Sequence, residues 1–133
     1  MKGYVDNIEK RTKENDDFRR VLYTGKHIQL VLMTLQPGED IGEEVHHDVD
    51  QFFRIEKGEG TVEIDGVAHE VEDDDAIIVP AGARHNVTNS GKKPLKLYTL
   101  YAPPEHKNGV VQDTKEEAEA RHEAEQFDGT TTE

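Results

Sequence analysis

Two short stretches of this 133-residue chain concentrate side chains that can bind a metal or move a proton. Residues 42–58 read Gly-Glu-Glu-Val-His-His-Asp-Val-Asp-Gln-Phe-Phe-Arg-Ile-Glu-Lys-Gly, with Glu43, Glu44, His46 and His47 close together. Residues 80–89 read Pro-Ala-Gly-Ala-Arg-His-Asn-Val-Thr-Asn and carry His85. Imidazole and carboxylate are the working groups of acid–base and metal-ion chemistry near neutral pH. The absence of cysteine excludes disulfide frameworks, thiolate zinc sites, iron–sulfur clusters and a cysteine nucleophile. Of the remaining histidines, His69 alternates with Val67 and Val71 and reads as a strand residue. His27 falls in a turn, and His106 and His122 fall in polar segments that predict solvated rings.

Stepping outward from these stretches, residues 18–102 form a series of short runs rich in β-branched and aromatic residues. They lie at 18–24, 28–36, 41–47, 51–58, 60–66, 68–73, 76–80, 85–89 and 95–102. Turn signals such as Pro37-Gly38, Gly58-Glu59-Gly60, Asp65-Gly66 and Ser90-Gly91 separate them. Many short strands at steady spacing predict an all-β sandwich or barrel, and Asp65-Gly66 predicts a tight hairpin. Residues 1–17 are polar and predict an N-terminal arm on the edge of a domain spanning 18–104. Residues 105–133 are acidic, with a helix expected over 114–127, and read as a solvating tail. Against 16 basic residues stand 29 acidic ones, a net charge of −13. That balance argues against nucleic acid and anionic membranes as partners. It suits solubility by self-repulsion or adaptation to high salt. No apolar run approaches the ~18 residues of a membrane span, and no apolar leader begins the chain, so a cytoplasmic address is expected.

The two stretches together resemble the paired motifs of the cupin superfamily. The texture is most similar to the small single-domain bacterial and archaeal cupins, some called mannose-6-phosphate isomerase-like. In the second motif Pro80, Gly82, His85 and Asn89 fall in place, with Asp74 where the family usually has glycine. The first motif departs from the pattern: Gln51 stands where the family has Glu, and Glu44 where it has the first His. The resemblance implies a double-stranded β-helix, or jelly roll, holding a divalent transition metal on Glu44, His46, Gln51 and His85. Residues 44 and 46, two apart on a strand, project to one face. A one-residue slip would instead present His47, with Val45 in place of Glu44. Two imidazoles, a carboxylate and an amide oxygen suit Fe, Mn, Zn, Ni or Cu.

An amide cannot serve as a base, so proton transfer at such a centre would fall to Glu44, the candidate catalytic residue, or to metal-bound water. Period two places Phe53 and Ile55 on the face of Gln51, and Met33 and Tyr98 are further candidates for the pocket wall. Arg54, Arg84 and Phe52 alternate outward, so no cation is expected inside, which argues against phosphosugar isomerisation. The implied function is binding or transformation of a small polar molecule at the metal. The alternative is a non-catalytic, possibly metal-free, ligand-binding or storage cupin. By the same resemblance a homodimer is expected.

Overall fold

The computed structural model describes all residues 1–133. Its elements are α1 (Ile8–Glu14), β1 (Arg19–Thr24), β2 (Gln29–Leu35), β3 (Glu44–Val45), β4 (Asp50–Lys57), β5 (Gly60–Ile64), β6 (Val67–Val71), β7 (Ala76–Val79), β8 (Arg84–Thr88), β9 (Leu95–Ala102), β10 (Val111–Gln112) and α2 (Lys115–Ala120). The strands form two antiparallel sheets, ordered β10-β1-β2-β9-β4-β7 and β3-β8-β5-β6. They pack face to face as a jelly roll. The expected strands are present, although the run at 41–47 pairs only through Glu44 and Val45.

Register explains why one end of the barrel is polar. On β9 the inward residues run Leu95, Leu97, Thr99, Tyr101. On β4 Ile55, Phe53 and Gln51 lie opposite Leu97, Thr99 and Tyr101, and on β2 Gln29 also faces Tyr101. Leu95, Leu97, Ile55 and Phe53 are completely buried. Each such side chain contributes ~1.5–3 kcal/mol by leaving water. Toward the other end, Gln29, Gln51 and Tyr101 replace this apolar filling, so the barrel opens there into a polar chamber.

Turns hold the strands in that register. Asp65 and Gly66 have φ of 47° and 83°, the conformation of a tight hairpin turn. Asp74, in the position the family gives to glycine, has φ 72°. An aspartate tolerates this left-handed conformation better than most residues, and here Arg54 donates to it at 3.0 Å from Nη2 to Oδ1. Asn89 is buried in the β8–β9 connection. Its amide donates to the carbonyls of Leu35 and Lys93, and its oxygen accepts from the Gly91 N–H.

Both ends of the chain are bound to the barrel. The arm covers the outer face of the larger sheet. The Asn15 amide reaches Thr34 Oγ1 at 3.1 Å, and Lys96 Nζ contacts the Asn15 carbonyl and Asp16. Residues 105–133 differ from the solvating tail expected of them. β10 pairs with β1, Arg19 opposite Gln112, so this segment extends the larger sheet beyond the 18–104 boundary. Gln29 clamps its start: the amide oxygen accepts from the N–H groups of Glu105 and His106, and the nitrogen donates to the His106 carbonyl at 2.7 Å. His106 is consequently buried, not solvated, at 7% exposure, with Nε2 3.1 Å from the Tyr101 hydroxyl. The helix is shorter than the 114–127 expected. Thr114 caps α2 by accepting from the Glu117 N–H at 3.1 Å. Ala118 is the one buried residue of α2, too little apolar surface to extend it.

Candidate metal centre

Glu44 and His85 lie opposite each other across the β3–β8 pair, which sets their side chains side by side on one face. Beyond β3 the chain leaves the sheet, and the turn of the second motif captures it: the Gly82 N–H donates to the His46 carbonyl at 2.8 Å. The Ala81 N–H donates to Asp50 Oδ1, also at 2.8 Å. The two motifs are therefore tied together through backbone. The His46 and His85 rings stand 5.4 Å apart. One donor atom from each of Glu44, His46 and His85 lies within 4.8 Å of the others. Donors around a bound ion at about 2.1 Å are separated by roughly 3–4 Å, so a modest contraction brings this trio to coordination distance. His47 is exposed.

The polar atoms of this cluster are incompletely paired. His85 Nε2 and Gln51 Oε1 are buried without a hydrogen-bond partner, and His46 Nε2 meets only the Glu44 carboxylate. Gln51 is 2% exposed, and its nitrogen donates to Thr99 Oγ1 at 3.0 Å. In most proteins nearly every buried polar atom is paired, so His85 Nε2 and Gln51 Oε1 need an explanation. His85 Nδ1 lies 3.2 Å from the Ala83 carbonyl. Donation from that nitrogen fixes the neutral tautomer whose Nε2 presents a lone pair, the form a metal requires. His46 Nε2 approaches Glu44 Oε2 to 2.7 Å without the alignment of a hydrogen bond, while Nδ1 lies 3.4 Å from Glu105 Oε1.

The electrostatics follow. Burial lowers the His46 pKa, but the carboxylates of Glu105 and Glu44 outweigh it and raise the value to about 9. Burial also pushes Glu44 upward, yet His46, Arg19 and His85 hold its carboxyl below the ordinary value. Burial lowers His85, aided by the charge of His46 and partly opposed by the Ala83 carbonyl. Neutral His85 and ionised Glu44 are both in ligand form at neutral pH, whereas His46 must release a proton.

A cavity of about 240 Å³ opens onto Glu44 and His46. Its other walls come from regions the sequence reading set aside: Arg19 on β1, Glu105 and His106 after β9, and Lys115 and Glu119 on α2. Phe53, Ile55 and Met33 lie inside the barrel but in its closed core, away from this cavity. Phe53 packs against His85 at 6.3 Å between ring centroids. Tyr98 is not a wall residue. Period two on β9 turns it outward, where its ring meets Phe52 at 6.2 Å. The expectation that no cation enters the barrel is corrected by Arg19. It shares its face of β1 with buried Val21 and is 7% exposed. That alternation was present in the sequence and was the available signal.

Comparison with known proteins agrees with this architecture. The family model "Cupin domain" matches residues 31–101. The chain is a cupin. It is 52% identical over 125 residues to YrkC of Bacillus subtilis, covering 90% of this chain and 67% of that protein. The crystal structure of BH2720 from Bacillus halodurans superposes with a TM-score of 0.88 at 50% identity, covering 90% of this chain and 95% of that one. A 73-residue segment is 33% identical to mannose-1-phosphate guanylyltransferase of Escherichia coli, covering 55% of this chain and 15% of that enzyme. This cupin has no helix long and apolar enough to cross a membrane.

Proposed function

We propose that this cupin holds a divalent transition metal on Glu44, His46, His85 and the Gln51 amide oxygen, and uses it to bind or transform a small polar molecule in the adjoining cavity. The observation that carries this reading is the Glu44, His46 and His85 trio, whose donor atoms all lie within 4.8 Å of one another, with His85 Nε2 buried and unpartnered. A cation among these three would pair His85 Nε2 and sit between His46 and Glu44. When bound, the metal supplies Lewis acidity toward a ligand oxygen or a water molecule. The chain's own residues do the rest. The Ala83 carbonyl holds the His85 tautomer, Glu105 orients His46 through Nδ1, and Glu44 is the carboxylate placed to accept or return a proton. The reaction type is left open by this donor set.

A second reading, a metal-free binding cupin, is favoured by one feature. A protonated His46 between Glu44 and Glu105 forms a charge-compensated cluster without any ion. Elemental analysis separates the two. Protein purified without chelator, beside Glu44→Ala and His85→Ala variants, is expected to carry near-stoichiometric metal in wild type only. Wild-type protein that neither carries metal nor takes it up on titration would overturn the first reading.

A further inference from the structure

Arg19 is nine-tenths buried, yet no carboxylate lies within 4 Å of its guanidinium. Its fixed neighbours are the Gln112 amide oxygen, which accepts from Nη1 at 2.8 Å, and the Phe18 ring, whose centroid lies 5.4 Å from Cζ. Nε is buried without a partner. A buried cation whose direct contacts are all neutral, with Glu44 acting on it only from beyond 4 Å, is costly unless an anion completes it. The guanidinium lines the same cavity as Glu44 and His46. The planar fork of an arginine matches a carboxylate, which it can receive through two parallel N–H donors.

We propose that Arg19 receives the carboxylate of the molecule that enters this cavity. The ligand class is a small organic acid whose second oxygen function reaches the metal, a 2-hydroxy or 2-oxo acid. This rests on the metal reading only for the second contact. Charge selects a carboxylate over a phosphate. Glu44, Glu105 and Glu119 already line the cavity; of its other cations, His46 is set between Glu44 and Glu105 and Lys115 is paired with Asp40. One free guanidinium balances one negative charge, whereas a phosphate dianion would bring a second, unbalanced charge among the same carboxylates. Size agrees: at ~30 Å³ per water, a cavity of about 240 Å³ holds about eight waters, the space of a compact acid.

The test is calorimetric titration of the full chain, metal-loaded and chelator-treated, with glycolate, lactate, pyruvate and 2-oxobutyrate. Lactamide and inorganic phosphate serve as controls. At least one acid is expected to saturate wild type. Lactamide should bind at least tenfold more weakly than lactate, and Arg19→Gln should lose at least tenfold. Arg19→Lys should fall between. Gln112→Ala, which removes the partner of Arg19 but keeps its charge, should stay within threefold of wild type. Metal content should match wild type in all three variants. Four outcomes overturn the proposal: no acid binding, lactamide binding as well as lactate, phosphate binding tighter than every acid, or Gln112→Ala losing as much as Arg19→Gln. The metal reading fails separately. Arg19-dependent acid binding to a chain that takes up no metal would uphold this proposal and sink that one, and a metal-loaded chain that binds no acid would do the reverse.

Discussion

Two buried primary amides, one in each motif, sit in the same barrel and are treated oppositely. Asn89 uses both its nitrogen and its oxygen, tying Leu35, Lys93 and Gly91 into one connection. Gln51 uses its nitrogen on Thr99 and leaves its oxygen unpartnered in the polar chamber. A fully paired amide is part of the framework. A half-paired one leaves an acceptor free, as the metal reading proposed above requires of Gln51. The second motif supplies both a framework residue, Asn89, and a candidate ligand, His85.

The strongest way to break this comparison is Asn89→Ala. It strands two carbonyls and an N–H, and a loss of about 3 kcal/mol is expected in urea unfolding. Metal content of the folded protein should be unchanged. Metal loss without destabilisation would reverse the assignment.

Next in size is the pH dependence, which should have opposite signs with and without metal. Binding at Nε2 requires His46 to lose the proton it holds up to about 9, so affinity should rise about tenfold per pH unit toward that value. For the apo chain the sign inverts. The folded pKa lies above the unfolded value of 6.5, so the His46 contribution to stability is complete below 6.5 and is lost as pH rises through about 9. Metal titrations and unfolding curves at pH 6, 7.5 and 9 check both. A pH-independent affinity would remove His46 from the ligand set.

Smaller again is Gln51→Glu, which restores the carboxylate usual at that motif position. It should tighten metal binding about tenfold while destabilising the apo chain, because a buried carboxylate resists ionisation. Smallest is Gln51→Leu. It removes an unpaired oxygen but also the donor to Thr99 Oγ1, so a loss of about 1 kcal/mol is expected, together with weaker metal binding. A large destabilisation would mean that Gln51 belongs to the framework after all.

Much of the framework was legible because it is written in local patterns. Alternation along β2, β4 and β9 predicts which side chains fill the barrel, and Asp65-Gly66 predicts its hairpin. His46 and His85 were legible for the same reason: each belongs to a short motif whose turn is local. Tyr98 departs from the expected pocket wall by the same alternation: its neighbours Leu97 and Thr99 take the inner face, so it turns outward. Arg19 was passed over because a charged residue in a strand is ordinarily turned outward.

What the sequence alone determined is the all-β barrel, its two motifs and the identity of the side chains offered to a metal, because period-two burial and turn chemistry act over a few residues. What only the tertiary structure decided is the roof of the cavity. Gln29 grips the backbone of Glu105 and His106 across 76 and 77 positions, and Arg19 meets Gln112 across 93. These are polar contacts between residues far apart in the chain, and the roof itself carries little apolar periodicity. Its place is set by hydrogen bonds that exist only once the barrel has closed.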